Sequence, residues 1–129
     1  MYRRRLRLIA AVIALGAAGS VWGASAAQAA PNGTCESHEV CLYWSTNFQG
    51  PIWDHAGDVT NYAGYNFPGY NIPVNNNTVS VRNRGNWMDV RLCTETWFRG
   101  SCVVVAPGNS IGQLEDHLAN QLSSHEWWT

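Results

Sequence analysis

The sequence predicts an all-β sandwich built from two Greek-key motifs, and three observations carry that expectation. A nine-residue stretch occurs twice, as Leu42-Tyr43-Trp44-Ser45-Thr46-Asn47-Phe48-Gln49-Gly50 and as Leu92-Cys93-Thr94-Glu95-Thr96-Trp97-Phe98-Arg99-Gly100. Leu, Thr, Phe and Gly recur at the same offsets, 50 residues apart. Each copy reads as a strand and a tight turn, with the Gly at a backbone angle other residues resist. Each half then closes on a polar segment, Asn76-Asn77-Thr78-Val79-Ser80 and Asn120-Gln121-Leu122-Ser123-Ser124. Finally, no segment sustains a 3.6-residue apolar period, so helix content should be near zero.

The first 29 residues read as a secretory signal peptide. Arg3, Arg4, Arg5 and Arg7 form a basic start, an Ala-rich apolar run follows, and Ala27-Gln28-Ala29 fits a cleavage site. A membrane anchor is the alternative, but the run is short and interrupted by Gly and Ser. Residues 30–129 then form one secreted domain. It holds four Arg against nine Asp+Glu, a net charge of −5, and no Lys. Such a domain offers little to a phosphate backbone, so nucleic acid is not an expected partner, and neither is a membrane after cleavage. A monomer is expected.

All four cysteines, Cys35, Cys41, Cys93 and Cys102, lie in the mature part, which implies two disulfides. Of three possible connectivities, Cys35–Cys41 with Cys93–Cys102 is favoured because each pair flanks a hairpin-sized segment. Zinc is the alternative, and the absence of a CxxC spacing speaks against it. Each bridge would stabilise a modest core by roughly 2–4 kcal/mol.

In chain order, 35–41 is a stapled loop leading into a strand at 42–44. The turn at 47–50 precedes a second strand at 51–54, placed near an edge because Pro51 cannot donate to a ladder. The stretch 61–75, with Tyr62, Tyr65, Phe67 and Tyr70 but no charge, reads as a long surface loop stiffened by Pro. It has no full counterpart in the second half, and the first half is about seven residues longer here. Strands follow at 78–83, 88–93 and 101–105. The segment 111–118 is one helical turn or an irregular loop, and the last strand spans 122–128. Its Trp127-Trp128 end should cap the core at the seam between halves.

Tyr43-x4-Phe48-x-Gly50 resembles the βγ-crystallin Greek-key signature: aromatic, four residues, aromatic, one residue, Gly. In the second copy Cys93 takes the first aromatic position. More closely, the chain resembles the secreted bacterial inhibitors of peptidase inhibitor family I36. The matching features are the C-x5-C loop Cys35–Cys41 after the signal, the Leu42-Tyr43 strand, Asn47-Phe48-x-Gly50 and the closing Leu122-Ser123-Ser124. This implies a βγ-crystallin-like sandwich and an inhibitor of extracellular peptidases, metallopeptidases above all. A disulfide-braced loop already shaped for a protease cleft lowers the ordering cost of binding. In the family the reactive segment lies in a disulfide-closed loop of the second half. The counterpart here, Cys93 to Cys102, has C-x8-C spacing, so no reactive bond carries over. Trp97 and Phe98 are candidate contacts, although Phe98 also occupies the packing position of the signature.

The resemblance also raises calcium, which many βγ-crystallins bind through N/D-N/D-x-x-S/T-S segments. Asn76-Asn77-Thr78-Val79-Ser80-Val81 fails at its last position and Ala119-Asn120-Gln121-Leu122-Ser123-Ser124 at its first. Asn76, Asn77, Ser80, Asn120 and Ser123 are therefore candidate ligands. None is a carboxylate, and such neutral donors bind calcium weakly. Tyr62, Tyr65, Phe67 and Tyr70 are candidate partner or carbohydrate contacts, since Tyr with Asn and Gly suits recognition surfaces. The alternative is that these rings fold back onto the sheet. No other cofactor is expected.

An enzyme is not expected. H-E-x-x-H is absent. Asp54, Asp58, Glu115 and Asp116 are the carboxylates available for a hydrolytic pair, and their separation depends on the fold.

Overall fold

The computed structural model describes residues 31–129. The expected signal peptide, 1–29, lies outside the described residues. Seven strands are present among those described: β1 Val40–Tyr43, β2 Ile52–His55, β3 Ser80–Asn83, β4 Asp89–Glu95, β5 Arg99–Val105, β6 Ser110–Ile111 and β7 Ser124–Trp128. They form two antiparallel sheets, in the order β2-β1-β3-β6 and β5-β4-β7. Both predicted disulfides, Cys35–Cys41 and Cys93–Cys102, are formed.

Side-chain alternation explains the sandwich. On β4, Val90 and Leu92 are fully buried while Asp89 and Arg91 face outward and are half-buried. Leu92 sits between Val103 and His125 on its neighbours, as Leu42 sits between Trp53 and Val81 in the other sheet. β1 is buried on both faces. Its outward Cys41 is covered by the bond to Cys35, and its outward Tyr43 by the edge of Phe48, at 5.4 Å between ring centroids. β2 lies at a sheet edge, as Pro51 suggested.

The halves are interlocked as well as stacked. β6, from the second half, pairs with β3 of the first through Val81–Ile111. Reciprocally, Val59 of the first half bridges His125 in the second sheet. The backbone contacts repeat with the same symmetry. Tyr62 N–H donates to Ser123 O and Leu114 N–H to Val79 O, both at 2.8 Å. Asn76 N–H donates to Leu122 O and Asn120 N–H to Thr78 O. Each half thus lends a backbone segment to the sheet of the other.

Two expectations are corrected. The last strand begins at Ser124, because Leu122 turns fully into the core instead of continuing the ladder. The stretch 61–75 is not simply a surface loop: Tyr62, Phe67 and Val74 are completely buried, and only Tyr65 and Tyr70 of its four rings are exposed. The chain takes 14 residues from Tyr62 to Asn76 but six from Leu114 to Asn120. That extra length folds inward, since burying large rings stabilises by about 2–3 kcal/mol each.

Candidate functional site

The repeated stretch builds two matching turns. Thr46–Phe48 and Thr96–Phe98 are single 3-10 turns, each with two consecutive left-handed residues. These are Asn47 and Phe48 (φ 53° and 62°) and Trp97 and Phe98 (φ 60° and 62°). Such angles cost a non-glycine residue about 1–2 kcal/mol and need external support. A serine supplies it in each half. Ser80 Oγ donates to Ser45 O at 2.6 Å and accepts Phe48 N–H at 3.1 Å. Ser124 Oγ donates to Glu95 O at 2.6 Å and accepts Phe98 N–H at 3.1 Å. Each turn is then anchored to the opposite half, Asn47 N–H on Gly112 O and Trp97 N–H on Thr60 O.

The second turn differs in what it displays. Cys93 and Cys102 face each other across β4 and β5, so their bond closes the hairpin below the turn. Ser101 N–H is held by Thr94 Oγ1, and a Cβ on Gly100 would collide with that same oxygen. At the tip stands Trp97, 63% exposed, where the first half has Asn47. Phe98 is half-buried and its carbonyl is held by Arg91, which also binds Glu126 at 3.0 Å and lies over the Trp128 ring. The expected contact pair is thereby divided into an exposed Trp97 and a packed Phe98.

The aromatic candidates are divided too. Tyr62 and Phe67 are core residues and present no surface to a partner. Tyr62 hydroxyl donates to His125 Nδ1 at 2.8 Å, and His125 Nε2–H donates to Gly57 O at 2.8 Å. A carbonyl can only accept, so this pairing fixes the His125 tautomer. Burial, with His55 nearby, holds the His125 pKa down to about 3, and burial pushes the Tyr62 hydroxyl well above its usual range. His55, its pKa also lowered by burial, accepts Gly57 N–H and lies tilted against Trp53, with ring centroids 5.2 Å apart. Tyr65 and Tyr70 remain as exposed candidates. Tyr65 is packed on one side against Trp53.

The Asn/Ser segments meet at the seam. Backbone symmetry pairs Asn76 with Asn120, both left-handed, and Ser80 with Ser124. The motif register in the first half is therefore 75–80, one residue earlier than the sequence suggested, and Val79 takes the place of a hydroxyl. Ser80 Oγ is committed to its turn. Asn76 Oδ1 meets Ser123 Oγ from the other half at 3.4 Å. Asn77 Nδ2 is engaged by Pro73 O, while Asn120 is exposed. Thr78 Oγ1 is buried without a partner.

One cluster had no signal in the sequence. Glu36, Glu39 and Asp54 bring ligand-type oxygens within 4.8 Å of one another. Asp54, fully buried, accepts the N–H groups of Asn32 and Gly33, and Glu39 accepts Glu36 N–H. Burial and the nearby Asp54 raise the Glu39 pKa. The cluster straps the start of the domain over β2. Of the other carboxylates, Asp58 holds Trp127 N–H, and Glu115 lies 3.6 Å from His117. Among the described residues, no helix is long and apolar enough to cross a membrane.

Comparison with known proteins agrees with this geometry. The family model described as peptidase inhibitor family I36 matches residues 28–105. No curated protein matches the chain. Among solved structures, the chain is similar to one described under the evolution of the eye lens βγ-crystallin domain fold, with 22% identity, TM-score 0.60, and coverage of 79% of this chain and 95% of that one. Spherulin 3a from Physarum polycephalum is similar at 23% identity and TM-score 0.56, covering 79% and 92%. A βγ-crystallin from Ciona intestinalis gives 15%, 0.56, 69% and 98%. At these identities the likeness establishes the βγ-crystallin fold.

Proposed function

The chain belongs to peptidase inhibitor family I36, and from that membership we propose that it is a secreted inhibitor of extracellular metallopeptidases acting through the Cys93–Cys102 hairpin. One observation carries the choice of hairpin. Trp97 is held out by a turn that a disulfide, a serine and a contact to Thr60 all brace. A large ring presented without loss of loop entropy is the feature an interface anchor requires. The left-handed backbone at Trp97 and Phe98 is unlike the extended strand a protease cleaves. The turn therefore engages the cleft through the Trp97 side chain and is not read as a substrate.

Titration of a thermolysin-like metallopeptidase with the oxidised protein tests this. Residual activity should fall to an endpoint near one equivalent. Trp97→Ala should weaken inhibition by about 30-fold or more while leaving thermal stability nearly unchanged. Full peptidase activity at excess protein would sink the metallopeptidase assignment.

A second reading, a calcium-binding module, is favoured by the meeting of Asn76 and Ser123 across the seam. Those two residues would hold the ion, with Thr78 nearby in sequence. Their neutral oxygens are fewer than the six to eight calcium takes, so the site would be weak. Calcium should then raise the melting temperature by mass action, and Ser123→Ala should abolish the rise. Exposed Tyr65 and Tyr70 would serve carbohydrate stacking in the same reading.

A further inference from the structure

The two halves differ most along their outer strands. β2 and β5 occupy equivalent places, each at a sheet edge and each pairing with the leucine of its central strand. Leu42 faces Trp53 and Leu92 faces Val103. Tyr62 and Leu114 are likewise equivalent by their backbone contacts. In the first half, Trp53, Tyr62 and Phe67 fill the space between edge strand and covering loop, with Trp53 and Tyr62 centroids 5.0 Å apart. In the second half the same positions hold Val103 and Leu114, and the loop is eight residues shorter between equivalent points. A groove of about 300 Å³ is left, with Cys102, Val103, Ile111, Leu114 and Leu118 on its apolar side and the exposed Gln113, Glu115 and His117 completing its lining.

β5 borders this groove and is the outermost strand of its sheet. It runs seven residues, ends in Val103-Val104-Val105, and has neither Pro nor charge from Gly100 onward. Alternate backbone N–H and C=O groups of an edge strand point away from its neighbour and template pairing with another strand. Two usual protections, an edge lysine and a proline, are missing from 100–105; Gly100, Ser101 and Val104 are exposed, while Val105 is buried with its carbonyl accepting from Asn83 Nδ2.

We infer that β5 and its groove are a second docking site for the target peptidase. An extended peptidase segment adds as a strand to β5 and inserts one large aromatic side chain over Val103. Strand addition provides backbone pairing, and the groove provides selectivity for the alternate side chain. The first half shows what chemistry the space accepts, since there the chain supplies the rings itself. A second copy pairing through β5 fits less well. Arg99–Val105 contains no aromatic residue, so a symmetric β5–β5 contact would leave the groove unfilled. The peptidase as occupant rests on the inhibitor reading; the groove does not.

The test has two arms. In the first, a blocked peptide with the chain's own 61–67 sequence, Asn-Tyr-Ala-Gly-Tyr-Asn-Phe, is titrated into the labelled protein. NMR shifts should move at Val103, Ile111, Leu114 and Leu118. In the second, hydrogen exchange is compared for the free protein and its complex with a thermolysin-like metallopeptidase. Amides of residues 103–105 should slow by about tenfold or more. Val103→Trp, which places in the second half the residue the first half already carries, should remove both effects and weaken inhibition by about tenfold. Val104→Lys alters only an outward side chain, so it weakens strand addition even if the tryptophan variant folds poorly. Unmoved shifts at millimolar peptide would overturn the groove. Protection confined to the Trp97 turn, or a doubled mass with β5 protected, would overturn the occupant. Peptide binding without inhibition of the peptidase would sink the inhibitor reading and leave the groove established.

Discussion

In the first half Leu42 lies against Trp53, and behind them the chain folds back Tyr62 and Phe67. In the second half Leu92 lies against Val103, and behind them is a groove. The turns show the reverse contrast. The first half carries Asn47 at the tip of its turn and has its disulfide elsewhere, at Cys35–Cys41. The second carries an exposed Trp97 at its tip, above a disulfide. One duplicated frame has thus been divided between two tasks. The first half fills the space behind its edge strand with rings, and the second leaves there a groove of mixed polar and apolar lining. A duplicated fold permits this because the serine-clamped turns keep both halves in register whatever fills the space between.

The largest expected effect breaks the contrast in packing. Trp53→Ala should destabilise by about 3–5 kcal/mol, whereas Val103→Ala should cost about 1 kcal/mol. Chemical denaturation of both variants measures the difference, and equal losses would mean that the groove is closed in solution.

Acid comes next and acts on the first half's aromatic cluster. The folded His125 pKa of about 3 lies below its ordinary 6.5. Between those values the unfolded chain takes up a proton that the folded chain refuses. The contribution is therefore complete above pH 6.5 and is lost as pH falls toward 3, by roughly 4 kcal/mol over the window. His55 and Tyr62 face the ring, and His55 titrates in the same direction. Urea midpoints at pH 7 and pH 4 should diverge in the parent and diverge less in His125→Phe, where His55 still titrates. An unchanged acid slope in that variant would place the sensitivity elsewhere.

The turn glycines sharpen the comparison further. Gly50 and Gly100 share a left-handed φ, 81° and 85°. A Cβ at Gly50 would meet Trp44 at 3.4 Å, a tight but tolerable contact. At Gly100 it would run into Thr94 and Glu95. Gly50→Ala should cost about 1–2 kcal/mol and Gly100→Ala about 1 kcal/mol more. Matching costs would show that the second hairpin yields.

Smallest is an effect that should be the same in both halves. Ser80→Ala and Ser124→Ala each strip one turn of its clamp and leave a backbone N–H unpaired, at about 1–2 kcal/mol apiece. Unequal losses would show that the disulfide below Trp97 substitutes for the serine.

Much of this was legible in the residues. The repeat placed both turns because Leu, Thr, Phe and Gly each have a local task in a strand and its turn. The cysteine spacing placed both disulfides for the same reason. The register of Asn75–Ser80 was missed by one residue, because three consecutive asparagines offer alternative alignments and only the left-handed Asn76 resolves them. Whether Tyr62 and Phe67 were exposed or folded back stayed open, because an uncharged Asn/Gly/Pro context is common to both kinds of loop.

The sequence by itself determined the strand-and-turn grammar, the pairing of cysteines close in the chain, and the duplication that makes a two-Greek-key sandwich. These depend on neighbours a few residues apart, or on a pattern that repeats. Tertiary structure alone decided which rings are core, that Asp54 gathers Glu36 and Glu39 around the start of the domain, and that β5 is left open. Those outcomes join residues tens of positions apart, and they follow from volume. Trp53 and Val103 are equally good strand residues, and only when the halves close on each other does one fill its space and the other leave a groove.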